Sequence, residues 1–279
     1  MARVRRSVLF VPGSDRAALR GALEAGPDTL VVDLEDTVTP ARKHAARALA
    51  VAFLGEPAPA HTERAARVNS PATPYFSDDL LAVIAAGADA LVIPKGNSAG
   101  EIRAVDDQVA RTEVERAPAR LGEAPAADRD GARRAQRIRD RHRLPAGRRA
   151  PLGPRIRHGT ILRARCQVVL AAGAAGRDAI DALFMNPTDA DGFRGEAREG
   201  QRLGGAGKLL LHSDQVRLVH EIYAPSDGEI AHARRVVQAF NEAAAAGTGM
   251  FLLDGRVIDL PVVEAERAVR ARARRAGTL

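Results

Sequence analysis

Apolar runs of strand length alternate with helix-length segments through the first 108 residues, giving four β-then-α units at a spacing of about 25. That alternation calls for parallel strands joined by crossover helices. The runs are residues 7–13, 29–36, 64–70 and 90–95, with helices expected at 14–25, 40–54, 77–86 and 98–108. Each strand ends in a charged or polar group. The second run is the most informative: Thr29-Leu30-Val31-Val32-Asp33-Leu34-Glu35-Asp36 is β-branched and apolar until three acids close it. Side chains alternate along a strand, so Val31, Asp33 and Glu35 share one side. Acids at the exit of a buried strand need a metal ion, an arginine or a proton to offset their desolvation. Asp36 either joins that group or, with Thr37, caps the following helix.

The pattern resumes near the C-terminus. Helices are expected at 160–175, 192–203, 213–222 and 225–246, with strands at 179–184 and 207–212. Residues 250–261 read as a hairpin turning at Asp254-Gly255, followed by an Arg-rich helix at 263–276. Six strands of this kind fit either a doubly wound sheet or an eight-stranded barrel. Pro12-Gly13-Ser14-Asp15 is not the glycine fingerprint of a dinucleotide fold, and Leu209 stands where a phosphate-binding Gly-Lys loop needs Ser or Thr. We therefore expect a (β/α)8 TIM barrel over residues 1–246, with a C-terminal extension over 247–279.

The two missing strands fall in residues 111–158, whose composition explains the deficit. This block holds 14 arginines against 6 acids, six large aliphatic residues and no aromatics. A run such as 133–143 cannot supply a buried strand. Strands 5 and 6 are thus expected to be missing or disordered. The block also carries the whole positive balance of a chain whose net charge is +7. It could act as a nucleic-acid-binding arm, since clustered arginine suffices for phosphate affinity. Its Ala, Arg, Gly and Pro vocabulary fits better a compensated frameshift between about 117 and 157 in a GC-rich gene. Elsewhere the charges balance, so nucleic acid is not the expected partner. No apolar run approaches the roughly 20 residues of a spanning helix. The basic N-terminus lacks a signal-peptide core, so a cytoplasmic address is expected. The single Cys166 excludes an internal disulfide.

Six motifs lie outside the block: Arg6-Ser7-Val8-Leu9-Phe10-Val11-Pro12-Gly13, Val32-Asp33-Leu34-Glu35-Asp36, Arg67-Val68-Asn69-Ser70, Val92-Ile93-Pro94-Lys95, Gly207-Lys208-Leu209-Leu210-Leu211-His212 and Gly255-Arg256-Val257-Ile258-Asp259-Leu260-Pro261. Together they resemble the citrate lyase β-subunit group of the HpcH/HpaI aldolase superfamily, in family order and over some four-fifths of the chain. The resemblance implies a magnesium-dependent carbon–carbon lyase acting on acyl-CoA thioesters of the citryl-CoA or malyl-CoA type, assembled as a trimer or hexamer. It makes Arg67 the residue that grips a keto acid or dicarboxylate, and Asp259 an acid or base delivered to a neighbouring subunit. Glu35 and Asp36 would support the water shell of the metal, and Phe10 and Arg16 would contact coenzyme A. The family takes its metal from a Glu and an Asp in the contexts Ile-Glu-Thr and Gly-x-x-Asp-Leu. Neither context occurs here, and Asn186 stands where relatives often have Asp. No residue is therefore assigned as a metal ligand, and an impaired lyase is expected. The alternative is a non-catalytic protein that binds a CoA-like ligand or nucleic acid on a degenerate barrel.

Overall fold

The structure, a computed structural model, describes residues 3–57, 59–96, 98–116, 138–139 and 158–277. Strands β1 (Ser7–Pro12), β2 (Thr29–Asp33), β3 (Glu63–Arg67) and β4 (Ala90–Ile93) alternate with helices α1 (Arg16–Glu24), α2 (Lys43–Gly55), α3 (Phe76–Ala85) and α4 (Ala99–Arg116). Then come β5 (Ile138–Arg139), α5 (His158–Ala174), β6 (Ile180–Asp181), α6 (Ala190–Arg202), β7 (Gly207–Leu210), α7 (Asp214–Tyr223) and α8 (Asp227–Ala245). The antiparallel hairpin β8 (Phe251–Leu253) and β9 (Arg256–Ile258) leads into α9 (Leu260–Arg275).

The seven parallel strands lie in the order β5-β4-β3-β2-β1-β7-β6. From β1 to β5 every connection steps the same way along the sheet, and β6 to β7 steps that way again. Crossovers between parallel strands are right-handed, so steps of one sense put all the helices on one face. The other face must then be buried by the sheet curling upon itself. Two separate apolar clusters record this. Leu9, Val11, Leu30, Val32, Ala66, Leu91 and Leu210 pack with the helices. Val8, Val31, Ala65, Ala90, Val92 and Leu209 fill the inside with strand residues, joined by the half-buried Phe10. The curl continues past β1 where β7 lies against it. Gly207 permits it, because a β-carbon there would lie 1.9 Å from the carbonyl oxygen of Arg5.

The result is a curled parallel α/β sheet of TIM-barrel type, in which β5 and β6 form the edges among the described residues. One expectation is corrected. The Arg-rich run is expected to contain no strand, yet Ile138–Arg139 pairs in parallel with Val92 and Ile93. Backbone pairing requires only N–H and C=O groups, which every residue but proline supplies. The rest of the proposed frameshifted stretch lies outside the described residues. The strand expected at 179–184 is shorter than its apolar pattern, because only Ile180 and Asp181 pair. Beyond them a polar clamp takes over. Lys208, fully buried, donates to Asp181 (2.9 Å), Glu196 (2.6 Å) and the carbonyl of Ala182 (2.7 Å), while Arg165 of α5 forks onto Asp181. That clamp, rather than a phosphate, is what Gly207-Lys208 serves. The hairpin packs with α8 and α9 around Val236, Val237, Ile258 and Val263, a cluster of its own. Among the described residues no helix is long and apolar enough to cross a membrane.

Candidate functional site

The carboxyl ends of β2, β3 and β4 bring a charged cluster to one rim. Register explains its centre. Asp33 pairs with Arg67 across the β2–β3 ladder, so both side chains leave the sheet on the inner face. The guanidinium forks onto the carboxylate, with Nε at 2.7 Å from Oδ1 and Nη2 at 2.6 Å from Oδ2. One face of the guanidinium lies 5.0 Å from the centre of the Phe10 ring. Asp33 also accepts from the Thr37 hydroxyl (2.6 Å) and the Glu35 N–H (2.9 Å). Burial alone would push the Asp33 carboxyl up, but hydrogen bonds and charge from Arg67 outweigh it and hold Asp33 below the usual carboxylate range.

Glu35 sits beside this fork. Its Oε2 lies 3.2 Å from Arg67 Nη1 and its Oε1 lies 2.7 Å from Lys95 Nζ. Neither oxygen accepts a well-formed hydrogen bond, although both are buried. Burial pushes the Glu35 carboxyl up, and Lys95 and Arg67 only partly offset it. Asp36 is the exposed member, 3.3 Å from Lys95 and 3.9 Å from Arg67 Nη1. The loop that carries these acids is pinned from below. Lys43 donates to the carbonyls of Leu34 (2.7 Å) and Glu35 (2.6 Å), and Asn69 Nδ2 donates to Leu34 (2.9 Å). Asn69 is itself held by Asp79, which pairs with Arg47 at 2.7 Å. At the neighbouring turn, Gly13 approaches β2 so closely that a β-carbon would lie 2.9 Å from the Asp33 carbonyl oxygen.

Lys95 has a φ of 53°, in the left-handed region. A non-glycine residue there costs about 1–2 kcal/mol. The sequence places Lys95 just past its strand without a role and gives none to Lys43 or Asn69, while Asp33 is expected as an acid at the strand exit in need of a metal, an arginine or a proton, and the arginine is Arg67. The Pro94-Lys95-Gly96 turn was the available signal.

Of the expected site residues, the structure gathers Glu35, Asp36, Arg67 and Phe10. Arg16 stands apart, paired with Glu56 together with Arg20. Asp259 caps α9, accepting from Val262 N at 3.2 Å, within the separate hairpin cluster. Among the described residues the acids that β2 brings to the rim are already committed, Asp33 to Arg67 and Glu35 between Arg67 and Lys95. Among the described residues no three His, Cys, Asp or Glu side chains come together as metal ligands.

Residues 6–124 and 151–213 match the HpcH/HpaI aldolase/citrate lyase family. The chain is 34% identical over 292 residues to citrate lyase subunit beta of Escherichia coli, covering 99% of this chain and 95% of that protein. It is 32% identical over 270 residues to a (3S)-malyl-CoA thioesterase of Cereibacter sphaeroides, covering 95% and 93%. Among solved structures, CitE from Mycobacterium tuberculosis in complex with magnesium, acetoacetate and coenzyme A superposes with a TM-score of 0.64, at 25% identity and 98% coverage of both chains. A citrate lyase from Burkholderia xenovorans shares the fold, with a TM-score of 0.75 at 16% identity over 100% of this chain and 94% of that one. The chain belongs to the HpcH/HpaI aldolase/citrate lyase family.

Proposed function

We propose that this family member acts on the carbon–carbon bond of a citryl-CoA- or malyl-CoA-type thioester, with the keto-acid or dicarboxylate portion held at Arg67. The observation that carries this reading is the Asp33–Arg67 fork at the carboxyl-end rim, where enzymes of this architecture place their chemistry. Cleavage or condensation next to a carbonyl passes through an enolate, whose negative oxygen is stabilised by positive groups fixed in advance. Asp33 fixes the guanidinium of Arg67, and Phe10 backs it, so little reorganisation is needed when a carboxylate arrives. Holding Asp33 through two nitrogens while a third faces the rim requires arginine rather than lysine at this position.

Magnesium dependence belongs to this reading through the relatives, but the described residues do not fit a metal. The missing Ile-Glu-Thr and Gly-x-x-Asp-Leu contexts point the same way. We therefore take lyase activity in this chain to be impaired, with ligand binding retained. Residues 125–150, skipped by the family match, sit inside the stretch we attribute to a compensated frameshift; reading the gene in its other frames tests that attribution, and finding no strand-like apolar segment there removes it. A cytoplasmic trimer or hexamer, with Asp259 supplied across an interface and Arg16 near coenzyme A, completes the reading.

The test is calorimetry with acetyl-CoA and oxaloacetate, alongside a malyl-CoA cleavage assay, each with and without magnesium. Binding of both ligands with slow or absent cleavage is expected. Failure of either ligand to bind under all conditions contradicts the reading.

A further inference from the structure

Helices α8 and α9 pack around Val236, Val237 and Val263, and Val237 also lines a groove of about 520 Å³ between them. That volume is within the range of small-molecule sites. The α8 wall carries Arg234, Gln238 and Asn241, at positions i, i+4 and i+7 that share one face of a helix, and α9 contributes Arg270. Neighbouring basic side chains on the two helices each face an acid. His232 lies 3.7 Å from Glu266, Arg235 lies 2.9 Å from Asp254, and Arg267 lies 2.6 Å from Glu264. Arg234 and Arg270 have no such acid among the described residues. Glu242, the acid of the groove, instead accepts from Gln238 Nε2 at 3.0 Å along its own helix. The Nε of Arg270 is buried and finds no acceptor. A guanidinium N–H taken out of water in this way is costly unless a ligand supplies the acceptor.

We propose that the groove between α8 and α9 binds a small molecule bearing a single phosphate group, held by Arg270 and Arg234 with Asn241 as a further donor. Two guanidinium groups match the two charges of a phosphate monoester, whereas a carboxylate brings one. Tetrahedral phosphate oxygens can meet donors that arrive from two helices, and the arginine fork fits their geometry. Val237 gives the organic part an apolar wall. Glu242 in the same lining opposes further negative charge, which disfavours a chain of phosphates or a nucleic-acid backbone.

Calorimetry at constant ionic strength tests this, with inorganic phosphate, glycerol 3-phosphate, pyrophosphate and acetate as probes on the full chain, Arg270→Leu and Arg234→Gln. Glycerol 3-phosphate and inorganic phosphate should bind the unmodified chain at least about tenfold tighter than acetate, and pyrophosphate should gain nothing over them. Loss of a charged hydrogen bond should weaken both phosphates about tenfold or more in Arg270→Leu, and several-fold in the exposed variant Arg234→Gln. Arg270→Leu should unfold in urea no earlier than the unmodified chain, because the unpartnered N–H is gone. No saturable phosphate binding, binding that both variants retain in full, or acetate as tight as phosphate overturns the proposal. Pyrophosphate binding tenfold tighter than phosphate, and lost in Arg270→Leu, overturns the restriction to a single phosphate group.

Discussion

The two rims of the sheet are both charged, yet their buried carboxylates are held differently. At the amino-end rim, Arg5 forks onto the buried Glu63 at 2.6 and 2.7 Å, and Thr29 donates to the same carboxylate at 2.9 Å. Arg6 contacts Asp28 through its backbone N–H and two guanidinium nitrogens, at 2.8 to 2.9 Å. Ser7 Oγ accepts from Asp28 N and lies 2.7 Å from His220 Nε2. At the carboxyl-end rim, Asp33 is equally well held, but Glu35 lacks well-formed hydrogen bonds and Lys95 is strained. Buried polar networks that are complete fix a structure, and those left incomplete mark where it acts. We read the amino-end rim as serving stability and, under the proposed function, the carboxyl-end rim as serving binding.

The largest effect should come from Glu63→Ala, which leaves the Arg5 guanidinium without its fork. Breaking a buried pair costs about 3–5 kcal/mol, read as a lower urea midpoint, while oxaloacetate affinity of the folded protein stays unchanged. An unmoved midpoint would break the comparison. Arg67→Lys should do the reverse, lowering oxaloacetate affinity by about 10- to 100-fold with a smaller loss of stability than Glu63→Ala.

The pH response separates the rims by sign. Burial depresses His220 below the ordinary histidine value of 6.5, with Asp28 opposing and Arg6 adding to the shift. The unfolded chain then binds the proton more readily, so stability is lost as pH falls below that value. Glu35 is raised above its ordinary 4.5, chiefly by burial, so the folded chain holds the proton more tightly and stability falls as pH rises from 4.5 through the raised value. Urea unfolding across pH 4 to 7 should show the acid loss diminished in His220→Gln and the opposing trend diminished in Glu35→Gln. Identical pH profiles for both variants and the parent chain contradict the assignment. The smallest effect is expected from Arg16→Ala. Its pair with Glu56 is exposed and screened, so the urea midpoint should not move, while acetyl-CoA affinity falls a few-fold if the coenzyme lies beside α1.

Much of this fold was legible because buried parallel strands leave near-continuous apolar runs, and residues 29–33 and 90–93 kept theirs. The pairing at Ile138–Arg139 was not, because it shows only in backbone register and leaves no apolar signature. Arg67 was legible as a charged residue on a short strand. Its fork with Asp33 was not, since register between strands is a property of the sheet. The positive φ of Lys95 is hinted at only by the Pro94-Lys95-Gly96 turn, because that conformation is ordinarily the province of glycine and asparagine. Lys208 was legible as a strand residue, but its place as a fully buried clamp was not, because β6 ends early and leaves Asp181 and Glu196 in need of a cation.

The division of labour between the rims is tested most directly by a crystal structure of the chain grown with oxaloacetate. The account predicts a ligand carboxylate within hydrogen-bond distance of the Arg67 guanidinium, with the Arg5–Glu63 and Arg6–Asp28 pairs unchanged. Ligand density at the amino-end rim, or an Arg67–Lys95 rim that stays empty while calorimetry shows saturation, would contradict it.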